Sequence, residues 1–356
     1  MVYLLLAAGI FMGWSLGTND GANAFGTAVA TGVVKYRTAI IIIAVFVILG
    51  AFLTGAGNLE SVSSLAVNNG VTASDSDLEF VKDAASSSEM VLKSALKAAI
   101  IFVCAGATVF VMSYLKFPVS ANQSITGAII GWGIFHADYA NPAVLSGNLA
   151  QIGKFASTWL LCPVGAAIIS FVIVKLASKL LIPRLQSLSH YDTFIKVGYL
   201  IAGALASFSI GMNSSANVTA LYYGAHTPDG LPTNLLSDAT LAATIGGIAI
   251  SIGVLTYSKK VMMTVGNSIA PLTQIEGFLV VIAMALTIVI IGEVMAIPVS
   301  TSQAVVGAVV GAGMTKGVKN VNFGVFKNIA IAWISSPLAA GILSYIIALA
   351  TKSYFS

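Results

Sequence analysis

Two stretches of this chain place amide, carboxylate and hydroxyl side chains at one spacing. Gly17-Thr18-Asn19-Asp20-Gly21-Ala22-Asn23 and Gly211-Met212-Asn213-Ser214-Ser215-Ala216-Asn217 both read G-x-N-x-x-A-N. Their side-chain oxygens are hard donors, the kind that suits a cation such as Na⁺. Two other stretches offer the opposite chemistry. Pro118-Val119-Ser120-Ala121-Asn122-Gln123-Ser124 and Pro298-Val299-Ser300-Thr301-Ser302-Gln303 each precede a fresh apolar run. A helix resuming there presents unpaired N–H groups, a partial positive charge and nearby hydroxyls, which together suit an anion. Cation ligands beside anion donors, twice over, point to coupled movement of a cation and an oxyanion.

The elements that hold these residues must lie in lipid. The 356 residues are 57% hydrophobic and 8% charged, with 17 basic and 13 acidic side chains, and the mean hydropathy is +0.94. Soluble domains carry about 25% charged residues, so a water-facing surface is excluded and the bilayer is the solvent. The formal charge of +4 sits mainly in short loops, which argues against nucleic acid as a partner. Cys104 and Cys162 lie in apolar runs and form no framework. The start, Met1-Val2-Tyr3-Leu4-Leu5-Leu6, has no basic n-region and reads as membrane domain, not as a cleaved signal.

Apolar runs predict ten spans, at roughly 2–34, 38–57, 94–115, 118–135, 155–178, 197–224, 238–257, 277–296, 298–314 and 328–351. The two shortest, 118–135 and 298–314, read as full spans or as re-entrant segments. With both termini external, Lys35, Arg37, Lys116, Lys179, Lys196, Lys259 and Lys260 fall on the cytoplasmic side, which matches the excess of basic residues expected there. That orientation predicts a multi-pass protein of the cell membrane. Residues 58–93 read as an extracellular loop, a solvated connector with a short helix around 76–89.

The paired stretches make the chain two copies of one unit. Gly127-Ala128, Gly131 and Gly133 follow the first proline motif, and Gly307-Ala308, Gly311 and Gly313 follow the second. Trp159 stands four residues before Pro163, as Trp333 does before Pro337. Five spans per copy is an odd number, so the copies enter the membrane from opposite sides. The expected fold is an all-α polytopic membrane protein with two inverted-topology repeats of about five spans each and discontinuous or re-entrant helices. The organisation is membrane repeat 1 at 1–178, a cytoplasmic linker at 179–196, and membrane repeat 2 at 197–356. Poor helix formers inside apolar spans predict that both G-x-N-x-x-A-N motifs unwind their helices and free carbonyls for a cation.

Asn19, Asp20, Asn23, Asn213, Ser214 and Asn217 are therefore the cation and coupling candidates, with Na⁺ expected at Asn19, Asp20 and Asn213. Ser120, Asn122, Gln123, Ser124, Ser300, Thr301, Ser302 and Gln303 are the oxyanion candidates. A carboxylate within the membrane points to function, and Asp20 is the one inside a duplicated motif. Glu293 is a second candidate buried acid. Packing kinks and helix–helix contacts are the competing account of such motifs, but duplication at matching places weakens it. His136, His190 and His226 fall in expected loops. No nucleophile–base pair, phosphate-cradling loop or metal cluster stands out, so no enzyme activity and no cofactor beyond the coupling ion is expected. A passive ion or solute channel is the alternative from another class.

Asn19-Asp20-Gly21-Ala22-Asn23-Ala24-Phe25-Gly26-Thr27 resembles the N-D-x-A-N-x-F-G-T signature of the inorganic phosphate transporter (PiT) family. Pro298-Val299-Ser300-Thr301-Ser302 with Val306-Gly307-Ala308 resembles its P-x-S-T-T-H and V-G-A signature. The resemblance covers nearly the whole chain. It implies an inverted-repeat symporter moving inorganic phosphate with Na⁺ or H⁺ as coupling ion, as a homodimer. Against the family pattern, Ser214 replaces an aspartate, Gln123 and Gln303 replace histidines, and Val47 and Val281 stand where a glutamate is frequent. The first hydroxyl motif is thinned to Ser120-Ala121-Asn122. Phosphate offers P–OH groups that need acceptors, whereas sulfate does not. Phosphate is the favoured substrate, and sulfate or another oxyanion on the same fold is the alternative.

Overall fold

A chain in lipid must satisfy its backbone polar groups internally, and helices do so within one segment. The computed structural model describes residues 5–72, 84–136, 142–180, 183, 188–224, 234–295 and 299–355. The named elements are helices. The first half holds α1 (Leu6–Ala30), α2 (Tyr36–Thr54), α3 (Leu59–Asn68), α4 (Ala84–Tyr114), α5 (Ala121–His136) and α6 (Pro142–Leu180). The second half holds α7 (Leu188–Ser214), α8 (Ala216–Thr219), α9 (Ala239–Tyr257), α10 (Lys259–Asn267), α11 (Gln274–Met295), α12 (Thr301–Met314), α13 (Phe323–Ala350) and α14 (Lys352–Phe355).

Among the described residues, seven helices are long and apolar enough to cross a membrane: Tyr36–Asn58, Ser87–Tyr114, Ile152–Leu180, Tyr191–Tyr222, Ala239–Tyr257, Gln274–Ile291 and Phe323–Ala350. Each matches one of the ten expected spans. The other three expected spans are helical but of a different kind. Helix α1 has 25 residues and carries its polar motif near the middle. Helices α5 and α12 have 16 and 14 residues. At about 1.5 Å per residue they reach about 24 and 21 Å, short of a hydrocarbon core about 30 Å thick.

The expected unwinding is absent from the first motif and slight in the second. Helix α1 runs without interruption through Gly17–Asn23, so the first motif frees no carbonyls and the expectation fails there. Helix penalties for Asn, Asp and Ser are below about 1 kcal/mol per residue. Here the Asn19 and Asn23 side chains bond to other segments instead of competing for their own backbone. In the second motif α7 stops at Ser214, Ser215 forms a turn, and α8 gives way to a 3₁₀ turn at Ala220–Tyr222.

The two halves interlock. Helix α5 packs on α13, α12 on α6, α2 on α7 and α1 on α9. Close approaches come in matched pairs: a side chain at Gly17 would strike the Ile250 carbonyl, and one at Gly211 the Val47 carbonyl. Likewise Gly127 lies on the Pro337 carbonyl and Gly307 on that of Pro163. Only a residue without Cβ permits such contact. By the same geometry Val47 and Ile250 face matching glycines, Gly211 and Gly17. Large apolar side chains such as Leu160, Ile168, Ile334 and Ile342 are exposed on the outer faces of α6 and α13, as lipid-facing helices require.

Residues 58–72 are not the solvated connector expected of an extracellular loop. Leu59, Leu65 and Ala66 of α3 are buried, as is Val71 beyond it. The short helix expected around 76–89 lies partly outside the described residues, and α4 already begins at Ala84. Helix α7 starts at Leu188, inside the expected linker. Helix α10 follows α9 closely and buries Val261, Met262 and Val265 against the end of α1.

Candidate cation and oxyanion site

The two motif asparagines do the same work in each half. The Asn19 amide donates to the Phe117 carbonyl at 3.0 Å, and its oxygen accepts from the Val119 N–H at 3.0 Å. The Asn213 amide donates to the Val299 carbonyl at 2.8 Å and accepts from the Val299 N–H at 2.9 Å. Each asparagine thus holds the extended backbone that leads into a short helix, α5 or α12. Such backbone at membrane depth needs partners from protein, and these two side chains supply them. Asn19 makes one further bond, to the Ser113 hydroxyl at 2.9 Å.

Asp20 lies on the inward face of α1, 3% exposed. Its Oδ1 accepts from the Ser302 hydroxyl at 3.0 Å and from the Asn23 amide at 3.2 Å. The Thr301 and Ser214 hydroxyls also bear on this carboxylate. The Asn23 amide nitrogen serves Thr301 Oγ1 at 3.0 Å and Ser302 Oγ at 3.1 Å as well. Its own oxygen, Asn23 Oδ1, is buried with no hydrogen-bond partner. The Asp20 carboxylate is thus met by an amide N–H and by hydroxyls, while the Asn23 oxygen is left unpaired, at a cost of about 1–3 kcal/mol.

The short helices are capped alike. Ser120 Oγ accepts from the Gln123 N–H at 3.3 Å, and Ser300 Oγ from the Gln303 N–H at 3.2 Å. A Ser-x-x-Gln sequence permits the reciprocal bond from glutamine back to the cap. Here Gln123 Oε1 and Gln303 Oε1 are both buried without a partner. Ser124 turns back on its own helix, to the Ser120 carbonyl at 3.3 Å. The helix starts meet across the halves. Asn122 donates to the Val299 carbonyl at 3.0 Å and accepts from the Asn217 amide. Two helix N-termini with their dipoles and hydroxyls converge there, a setting that stabilises negative charge.

All six cation candidates, with Asn122, Thr301 and Ser302, therefore meet in one buried cluster, whereas Ser120, Gln123, Ser124, Ser300 and Gln303 bond within the first turns of α5 and α12. The Glu293 side chain and Pro298 lie outside the described residues. Two partners have weak sequence signals. Ser113 is a lone serine in the apolar last turns of α4, fully buried against Asn19. Trp333 donates its Nε1 to the Pro118 carbonyl at 3.0 Å, so an echoed tryptophan that marks the repeat also holds the site's backbone. An open, almost wholly apolar groove of about 1310 Å³, walled by the exposed faces of α6 and α13, reaches in to Gln123 and Gln303. Its lining pairs across the halves: Gly127 with Gly307, and Pro163 with Pro337.

Apolar crossing helices around a buried polar cluster define a multi-pass membrane protein of the transporter class. The profile of the phosphate transporter family matches residues 16–344, and the chain belongs to that family. Similar proteins include two that carry the name "Putative phosphate permease". PF1020 of Pyrococcus furiosus is 27% identical over 425 residues, covering 98% of this chain and 95% of its own. MJ0630 of Methanocaldococcus jannaschii is 28% identical over 349 residues, covering 97% and 96%. The fold resembles a solved structure titled "The sodium-dependent phosphate transporter", with TM-score 0.74, 24% sequence identity and 99% of both chains covered.

Proposed function

We propose that this chain imports inorganic phosphate by cation symport, with Na⁺ as the coupling ion. The observation that carries the reading is the Asp20 cluster, where a buried carboxylate and the Asn23 amide N–H groups on α1 meet the hydroxyls that open α12. A cation held at Asp20 and an anion held at the α5 and α12 N-termini would share Ser302 and Thr301. Each charge then lowers the cost of burying the other. Na⁺ is favoured over H⁺ by the oxygen-rich ligand set and by the name of the solved relative. Phosphate is favoured over sulfate by the names of the relatives.

The matched contacts between halves support two inverted repeats and alternating access. Where Gly127 meets Pro337 and Gly307 meets Pro163, exchanging the conformations of the halves would reproduce the same packing and open the other side. Labelled phosphate uptake into proteoliposomes tests the proposal. With inward Na⁺, phosphate accumulates above its external concentration, and excess sulfate leaves the rate unchanged. Competition by sulfate would transfer the site to sulfate, and flux indifferent to the Na⁺ gradient would make the protein a channel.

A further inference from the structure

Three crossing helices end on tyrosines that share two lysines. Helix α2 starts at Tyr36, α4 stops at Tyr114 and α9 stops at Tyr257. The first two residues of α10 reach all three rings. Lys259 Nζ lies 5.7 Å from the centre of the Tyr36 ring, and Lys260 Nζ lies 4.7 and 5.0 Å from those of Tyr114 and Tyr257. Lys260 also donates to the Tyr257 hydroxyl at 2.7 Å. The Trp14 and Phe110 rings pack against Tyr257 at 6.5 and 5.9 Å. Tyrosine and tryptophan gathered at helix ends mark the level of the lipid headgroups. Lys35 and Arg37 flank Tyr36, and Lys116 stands two residues after Tyr114, so five cations share this rim.

We propose that the rim binds the headgroup of an anionic phospholipid. All five cations are exposed, and among the described residues the ion pairs are Glu89 with Lys93 and Glu276 with Lys316. The tyrosine faces attract the ammonium groups without neutralising them, so the rim keeps its charge. Directly beside it the surface turns apolar: Val111 and Leu115 on α4 and Ile252 and Leu255 on α9 are exposed. Charge bordered by an exposed apolar face fits a molecule whose phosphate and acyl chains are joined. Free phosphate or an acidic protein segment would use only the charge. Lys116 adds a backbone observation. Its φ of +68° is left-handed, where the chain closes α4 through Lys116 N–H to the Ser113 carbonyl at 3.0 Å and Phe117 N–H to the Met112 carbonyl at 2.9 Å. Glycine is the usual residue at such a helix end, and any side chain there is strained. A strained lysine is expected where its charge is used.

Native mass spectrometry of the full chain in detergent, titrated with phosphatidylglycerol or phosphatidylcholine, tests the site. The unaltered protein is expected to bind phosphatidylglycerol at least about tenfold more tightly, since each basic residue near an anionic headgroup is worth about fivefold. Lys259→Gln with Lys260→Gln keeps the stems, removes the charges and should bring the two lipids within about twofold. Lys319→Gln with Lys327→Gln, at exposed lysines elsewhere on the chain, should keep the full preference. Lys116→Gly should weaken phosphatidylglycerol about fivefold without lowering the unfolding temperature, because glycine adopts that φ freely. Equal binding of the two lipids by the unaltered protein overturns the proposal, as does a preference that survives the loss of Lys259 and Lys260. An equal loss in the Lys319 and Lys327 variant makes the attraction diffuse and also overturns it. Displacement of phosphatidylglycerol by inorganic phosphate would assign the rim to a free anion instead.

Discussion

The Asn23 amide donates to the Ser302 hydroxyl across 3.1 Å although 279 residues separate them. That bond joins a helix of the first half to the start of a helix in the second, and both residues also touch Asp20 Oδ1. An ion that engages Asp20 would therefore act on α12, as the proposed coupling requires.

Replacing Asn23 by alanine removes two N–H donors, shared among three oxygens, and the free acceptor at once. Two buried hydroxyls and a carboxylate lose a partner, which should cost about 2–4 kcal/mol of stability. Thermal unfolding in detergent measures it, and the same variant should need more Na⁺ for half-maximal uptake. An unchanged Na⁺ requirement would remove Asn23 from the cation shell.

Ser300→Ala combined with Thr301→Val strips the cap and one hydroxyl from the α12 terminus. The lost cap costs about 1 kcal/mol of stability. The lost donors should raise the phosphate KM by about tenfold, as expected for one charge-assisted hydrogen bond. Uptake rates over a range of phosphate concentrations give that KM. An unchanged value would place the anion elsewhere.

Gly307→Leu drives a side chain into the Pro163 carbonyl on α6. Overpacking of this kind costs about 1–3 kcal/mol, and because the contact joins the halves, kcat should fall more than KM rises. The mirrored variant Gly127→Leu, against the Pro337 carbonyl, should behave alike. A large effect in one and none in the other would contradict equivalent interfaces.

Much of this was legible in the residues because similar motifs recur along the sequence. The echoed G-x-N-x-x-A-N and proline motifs identify the network, and the apolar runs locate the crossing helices. What was not legible depends on distance in space. Local propensity suggested a break at Asn19 and Asp20, but the partners that keep α1 continuous, Ser113, Phe117 and Thr301, come from α4, the turn after it and α12. Helix α3 reads as a polar loop because Glu60, Ser63 and Ser64 separate its buried leucines. That Val47 and Ile250 face matching glycines becomes visible only where the helices meet.

The central claim is that Asp20 couples the cation to the anion, and Asp20→Asn tests it most directly, since it keeps the shape and removes the charge. The measurement is Na⁺-driven accumulation of labelled phosphate in proteoliposomes, with expression and unfolding temperature recorded for the same preparations. The account predicts a well-folded protein whose concentrative uptake falls by at least about 100-fold, the equivalent of about 3 kcal/mol of lost cation stabilisation. Accumulation close to that of the unaltered protein would contradict it.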